Sequence, residues 1–456
     1  MKAVRALFNE FRSGQGLKGQ LLRGGFWSLV IKLLSTAMAL VLAVVLARLL
    51  GPEGFGIYSF AFACITIMAI PAQMGLPNLL VRETAKAQVN ARWDIMKGLW
   101  RWSSLVALAM SLALTAIGSL VIWLFSNRLG PEQVATFWWG LLLIPLVTLG
   151  NLRGAALRGL RKVVQGQLPE FVLRPLFFIV LALAAWGLFG TALGPADAMM
   201  LHVVAAFSAF AIGAWLLFRE QPPELMAQRQ SSTEGRAWLA SAVPLSLVTG
   251  LQTINTHVGI VVMGMLGLTE GVAHYRIAMQ GSLLVSFGLY AANQAASPYF
   301  ARLHSKENLN ELQTVATQTA LVALAVALPV WLTLIVLGEP VVTLVFGTEF
   351  SPAVLPLALL ATGQLASALA ASVTTLLAMT GYANVTVRVS LVTIGLNLCL
   401  TLVLVPYFSA TGAAFAMMVG VAFHTMALRI FVRRKLCIEP SALALLNRRH
   451  RGEAGK

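Results

Sequence analysis

Long apolar stretches separated by short polar or basic segments run the length of the chain. Each is about the 20 residues that a helix needs to cross the hydrocarbon core of a bilayer. The stretches are continuous; none shows the period-two alternation of an outer-membrane strand. They predict about twelve spanning helices, over residues 24–48, 55–78, 101–125, 134–153, 171–190, 196–218, 238–266, 271–298, 314–337, 351–378, 386–405 and 409–431. The predicted fold class is therefore all-α integral membrane. Pro71, Pro145, Pro244, Pro329 and Pro356 fall inside these spans; each removes a backbone hydrogen bond and tends to bend its helix. Such bends serve either as hinges or simply as packing features.

The first hairpin, Phe26 to Glu83, has a diverged echo. LLGPEGFGIYSFAFACITIMAI is matched, with one inserted residue, by MLGLTEGVAHYRIAMQGSLLVSF, so that Gly51 meets Gly267, Gly54 meets Gly271 and Tyr58 meets Tyr275. Weaker echoes link Val81-Arg82-Glu83 with Ala301-Arg302-Leu303, and Leu157-Arg158-Gly159 with Met379-Thr380-Gly381. Two copies that each hold an even number of spans start on the same side of the membrane. Their pseudo-two-fold then lies along the membrane normal, with a substrate site expected between the halves. The predicted organisation is a cytoplasmic amphipathic N-terminus (1–23, with Val4–Phe11 lying on the membrane surface), a six-helix lobe (24–218), a linker (219–237), a second six-helix lobe (238–431) and a basic tail (432–456). The linker, REQPPELMAQRQSSTEGR, has the polar, proline-containing composition of a flexible connection.

Composition strengthens this picture. Hydrophobic residues make up 58% and charged residues only 11% of the chain, with a mean hydropathy of +0.80; soluble domains carry about a quarter charged residues. The net charge of +16 would fit nucleic acid if it were spread evenly, but it is not. Arg82, Lys86, Arg92, Lys97 and Arg101 fall in one loop, Arg153, Arg158, Arg161 and Lys162 in another, and Arg219, Arg229 and Arg236 in the linker; Arg302, Lys306, Arg388 and the tail follow on the same side. Lys and Arg are retained on the cytoplasmic side, so both termini are expected to be cytoplasmic, and nucleic acid is excluded as a partner. The basic N-terminus calls for anionic lipid. Cys64, Cys399 and Cys437 have neither metal nor redox spacing, and no metal or cofactor is called for. The N-terminal run is too long for a signal-peptide core.

Two cations remain inside spans, Lys32 in LVIKLLS and Arg276 in AHYRIAMQ. A cation at mid-bilayer costs roughly 2.5–3.5 kcal/mol on insertion scales. Either both snorkel to the nearer surface, or they face a cavity. No Asp or Glu is read well inside a span; Glu170, Asp197, Glu270, Glu311 and Glu349 are placed at ends. Embedded cations without embedded acids point to an anionic passenger that supplies the counter-charge. The seventh span, TGLQTINTHVG, is the most polar, and Gln252, Asn255 and Thr256 share one face at helical spacing. With His257, and with Gln280, Asn293 and Gln294 of the eighth span, these residues form either interhelical hydrogen-bond glue or the wall of a hydrophilic cavity for sugar hydroxyls. The candidate substrate-binding set is Lys32, Arg276, Gln252, Asn255, His257, Gln280, Asn293 and Gln294. No catalytic set, Walker loop or Asp-x-Asp signature is present, so no enzyme activity is assigned.

ARLLGPEGFGIYSFAFA, GLPNLLVRE and LRGLRKVVQGQLPEFVLRPL resemble the polysaccharide-type flippases, the translocases of lipid-linked O-antigen and exopolysaccharide units. The L-G-P-x-x-[FY]-G-x-[FY] turn is the most specific element. The resemblance covers nearly the whole chain. It extends to the larger group that includes multidrug and toxic-compound extruders and the lipid II flippase. It implies two six-helix lobes forming a V, alternating access, and a central cationic cavity for the pyrophosphate of a polyprenyl-linked oligosaccharide. A polysaccharide polymerase and glycosyltransferases are the implied partners. Arg276 fits the family's cationic cavity, whereas Lys32 matches no first-helix arginine of the lipid II flippase. The alternatives are a cation-coupled multidrug exporter of the same fold, against which the missing first-helix acid counts, and a membrane glycosyltransferase or polymerase, which would need an acidic cluster.

Overall fold

The structure is a computed structural model that describes residues 17–190, 193–228, 231–306, 308–436 and 438–442. The surface helix expected at Val4–Phe11 and the tail beyond residue 442 lie outside the described residues. The described backbone is helical with no strand, and eight of its helices are long and apolar enough to cross a membrane. The chain is a multi-pass membrane protein. Its surface shows this directly: Trp123, Phe207 and Phe218 are 68%, 60% and 67% exposed, which only an apolar solvent makes favourable.

Two of the eight are far longer than a bilayer is thick. Val30–Gln73 has 44 residues and Asn384–Leu436 has 53, or roughly 65–80 Å at 1.5 Å per residue. Each contains one residue outside helical geometry, Gly51 (φ 66°, ψ 179°) and Ser409 (φ 46°, ψ −124°). At Ser409 the chain folds back on itself. Ser390 meets His424 at 3.3 Å, Asn397 meets Met417 at 3.7 Å, and a Cβ on Gly420 would lie 3.6 Å from that of Asn397, so the limbs before and after Ser409 pack antiparallel. Gly267, between helices Gly235–Met265 and Thr269–Ser282, is likewise left-handed at φ 74°. The two glycines that the sequence echo pairs therefore both hold a positive φ, which a residue without Cβ reaches at no steric cost.

The chain packs as two compact units. The first combines the residues through Leu49 with Cys64–Gly250; the second combines Leu50–Ala63 with the residues from Leu251 onward. The division expected at 219–237 therefore differs at two places: Leu50–Ala63 packs with the second unit, and residues 238–250 with the first. The core of the first unit is Leu76, Leu79, Leu99, Leu152 and Trp238, and that of the second Phe300, Leu312, Leu376, Leu377 and Leu428.

The segment read as a flexible linker is docked. Its short helix Pro223–Ala227 buries Leu225 against Ala87, Met96 and Leu160. The Ser232 hydroxyl donates to Asp94 Oδ2 at 2.9 Å, its amide donates to the Asp94 carbonyl at 3.2 Å, and the Lys97 ammonium donates to the Gln228 carbonyl. Glu220 takes Lys162 at 2.8 Å and the Gln165 amide at 2.9 Å; the hydrogen bond from Lys162 holds its carboxyl below the usual glutamate range. Part of the tail is docked as well. Glu439 accepts from Arg429 Nε at 2.6 Å, its amide donates to Gln313 Oε1 at 2.6 Å, and Ile438 is buried. Polar composition misled for the linker because one buried apolar side chain, Leu225, anchors it, and Ile438 anchors the start of the tail in the same way.

Candidate functional site

Arg276 sits on helix Thr269–Ser282, half-buried, its guanidinium 5.9 Å from the centre of the Phe62 ring. Phe62 stacks on Tyr58 at 6.2 Å. Tyr58 and the buried His257 both lie within electrostatic reach of Arg276. Segment Leu50–Ala63 is held there by close approaches at glycine: a Cβ on Gly56 would strike the Thr269 carbonyl, and one on Gly264 would strike the Phe60 ring. The two echo hairpins thus meet within one unit, and the aromatic face of one covers the cation of the other. Such a contact is worth about 0.5–2 kcal/mol and leaves the guanidinium donors available. No carboxylate pairs with Arg276 among the described residues.

A polar seam continues from there. Asn397 Nδ2 donates to Asn255 Oδ1 at 2.9 Å, and the Thr401 hydroxyl lies 3.4 Å from Asn397 Oδ1. Gln252, Asn255 and Thr256 line one cavity of about 250 Å³, as their shared helical face predicts, together with Gln364, Ser390 and Thr393. Asn293 and Gln294 line a second cavity of about 560 Å³. Ser367, Thr374 and His424 border both, so the two are adjoining parts of one polar region. Asn293 Nδ2 donates to the Ala371 carbonyl at 2.9 Å, while Asn293 Oδ1 and Thr386 Oγ1 are buried without a protein partner. His257 and Gln280 are buried outside these cavities, and Lys32 is exposed in the first unit. The wall residues Gln364, Ser367, Thr374, Thr386, Ser390 and Thr393 escaped the sequence reading. A lone hydroxyl in an apolar helix is ambiguous, because it usually bonds its own preceding turn, as Thr393 does to the Val389 carbonyl at 2.9 Å.

The first unit corrects the charge assignment. Arg153, counted with a basic loop, is buried inside helix Leu143–Gly159, and Glu170, placed at a span end, is buried within the span Val163–Leu188. Arg153 Nη2 lies 3.3 Å from Glu170 Oε1, Arg174 Nη1 lies 3.3 Å from Glu170 Oε2, and Arg153 Nη1 donates to the Phe210 carbonyl. The carboxylate sits on a single π-helical turn, Pro169–Leu173. Gly150 and Gly213 make room for the pair, since a Cβ on either would overlap the Glu170 carboxylate or the Arg153 guanidinium. One acid is therefore embedded, and it is already matched by two cations.

Apolar helices long enough to span a membrane and adjoining polar cavities define a multi-pass membrane fold with a polar interior region. Solved structures agree. A multidrug resistance MATE family transporter of the MOP superfamily, in an inward-facing conformation, superposes with a TM-score of 0.70 at 16% identity over 88% of this chain and 94% of its own. The lipid II flippase MurJ, inward closed, gives 0.68 at 13% identity over 90% and 87%. A MOP superfamily transporter from Pyrococcus furiosus, whose binding pocket is described as reversed in polarity, gives 0.65 at 13% over 92% and 96%. At these identities the likeness establishes the fold. Curated proteins compared by sequence give no match. The family model described as polysaccharide biosynthesis protein matches residues 21–304, and the chain belongs to that family.

Proposed function

We propose that the protein is a flippase that moves a polyprenyl-pyrophosphate-linked oligosaccharide from the cytoplasmic to the outer leaflet by alternating access. Twelve spans in two related six-helix lobes support that cycle. The eight candidate spans, the backbone breaks at Gly51 and Ser409 and the helices on either side of Gly267 favour this count. The observation that carries the reading is Arg276, a half-buried cation covered by an aromatic ring and paired with no carboxylate among the described residues. A pyrophosphate brings the charge such a guanidinium lacks, and hydrogen bonds to a charged partner are the strong ones. The polar wall that includes Gln252, Asn255 and Asn293 offers amides and hydroxyls that can bond sugar hydroxyls. The lipid tail stays in the bilayer, and Lys32 is a second candidate cation for the substrate. Both termini are cytoplasmic, in a bacterial inner membrane, and glycosyltransferases and a polymerase are the partners that supply and consume the unit. Glu170 does not favour a cation-coupled exporter, because two arginines occupy its oxygens.

The test is restoration of surface glycan in a flippase-deficient strain at matched membrane levels of protein. Arg276→Ala is expected to lower export by about tenfold, equivalent to the roughly 1.5 kcal/mol of one charge-assisted hydrogen bond, and Arg276→Lys to retain more. Wild-type glycan from both Lys32→Ala and Arg276→Ala would overturn the electrostatic mechanism.

A further inference from the structure

The buried ion cluster of the first unit borders a cavity that the transport reading does not use. That cavity, about 420 Å³, is lined by Arg153 with Trp100, Ser104, Phe210, Phe218 and Gln221, the rest of its wall being aliphatic. Arg153 is 6% exposed, and its Nε is buried without a hydrogen-bond partner. One carboxylate, Glu170, serves both Arg153 and Arg174, so the cluster carries one uncompensated positive charge next to the cavity. Ser104 and Phe218 are exposed at its edge, which opens it to the surroundings. The Trp100 indole donates inward to Thr84 at 2.9 Å and presents its apolar body to the cavity, in the manner of aromatic residues at a membrane interface. The wall therefore combines one positive charge, free donors at the rim and a large apolar surface. That combination matches an anionic amphiphile and neither a free sugar nor a neutral lipid.

We propose that this cavity binds the headgroup phosphate of an anionic bilayer phospholipid, with Arg153 as its charge partner, Ser104 and Gln221 as hydrogen-bond donors, and Phe210 and Phe218 against the glycerol and upper acyl chain. The site rests on the chain being a membrane protein and is independent of what the chain transports. An occupant bearing one negative charge neutralises the cluster and thereby steadies the π-helical turn that carries Glu170.

Native mass spectrometry of the detergent-solubilised full-length protein, with phosphatidylglycerol, phosphatidylcholine or inorganic phosphate added, tests the site. The wild type is expected to retain phosphatidylglycerol about fivefold better than phosphatidylcholine, the weight of one arginine near an anionic surface, and inorganic phosphate should not displace it. Arg153→Gln removes the preference. Ala214→Leu adds bulk to the cavity wall while keeping Arg153, Arg174 and Glu170 unsubstituted and is expected to do the same, so the test survives if Arg153→Gln does not fold. Arg219→Gln, an exposed cation outside the cavity, leaves the preference intact. Equal retention of the two lipids, displacement by inorganic phosphate, wild-type preference in Ala214→Leu, or an equal loss in Arg219→Gln would overturn the proposal.

Discussion

Glu170 shows most clearly what a single side chain can hide. A buried carboxylate is costly unless it is paired and hydrogen-bonded, and here each oxygen has its own arginine. Taking it away would leave two guanidiniums in a nearly dry setting. Glu170→Ala is therefore expected to destabilise by about 3–5 kcal/mol, the usual cost of breaking a buried pair from one side, read as a large fall in thermal unfolding temperature in detergent. The double variant Arg153→Met/Glu170→Met should recover part of that loss, because the more deeply buried guanidinium leaves together with its carboxylate and only the partly exposed Arg174 stays unpaired; an unchanged melting temperature in Glu170→Ala would refute the account. None of this was visible along the chain. Arg153 closes an apolar run and reads as the first residue of a basic loop, whereas Arg276 stands between apolar residues and reads as a lone cation. The difference is tertiary: room for the Arg153–Glu170 pair exists only where Gly150 and Gly213 lack a Cβ, and residues so far apart in sequence show no local pattern that joins them.

At the scale of the element, the turns decide how much of the helical pattern could be read in advance. Apolar length located the helices, and the echo of LLGPEGFGIY located two left-handed glycines, because glycine is the residue such a position selects. Ser409 left no comparable mark. It holds φ 46° without being glycine, and the long run Ala383–Leu436 reads as helix on both sides of it. Two opposed outcomes follow from one physical cause. Ser409→Gly should stabilise the protein by about 1 kcal/mol through release of backbone strain, while Gly267→Val should destabilise it by about 1–2 kcal/mol, although nothing lies within 4 Å of a Cβ at Gly267. Thermal unfolding in one detergent compares them; a stabilising Gly267→Val would show that the turn is not held in the left-handed region. The docked segment around Leu225 belongs to the same lesson. Prolines and polar residues marked it as a connection, and only its contacts with Ala87, Met96 and Leu160 show that it is fixed.

For the whole molecule, the outward-facing surface and the distribution of charge bear on one question, the path of the chain through the bilayer. Apolar side chains as exposed as Trp123 and Phe207 require hydrocarbon around them, and the basic residues at Arg82–Arg101, Lys162 and Arg219–Arg236 are expected to hold their segments on the side where positive charge is retained. If twelve spans run from a cytoplasmic N-terminus, the turns at Gly51, Gly267 and Ser409 follow the first, seventh and eleventh spans, so all three lie on the outer face while both termini lie inside. Periplasmically active phosphatase fused after each turn should be active, and the same enzyme fused after Arg236 or at either terminus should be inactive, with cytoplasmically folding fluorescent fusions giving the reverse pattern. Activity after Gly51 but not after Gly267 would place an odd number of crossings between them and remove the parallel repeat. The proposed transport route depends on that repeat, because only copies that enter the membrane from the same side are related by an axis along the membrane normal, the arrangement in which two lobes can rock against each other for alternating access.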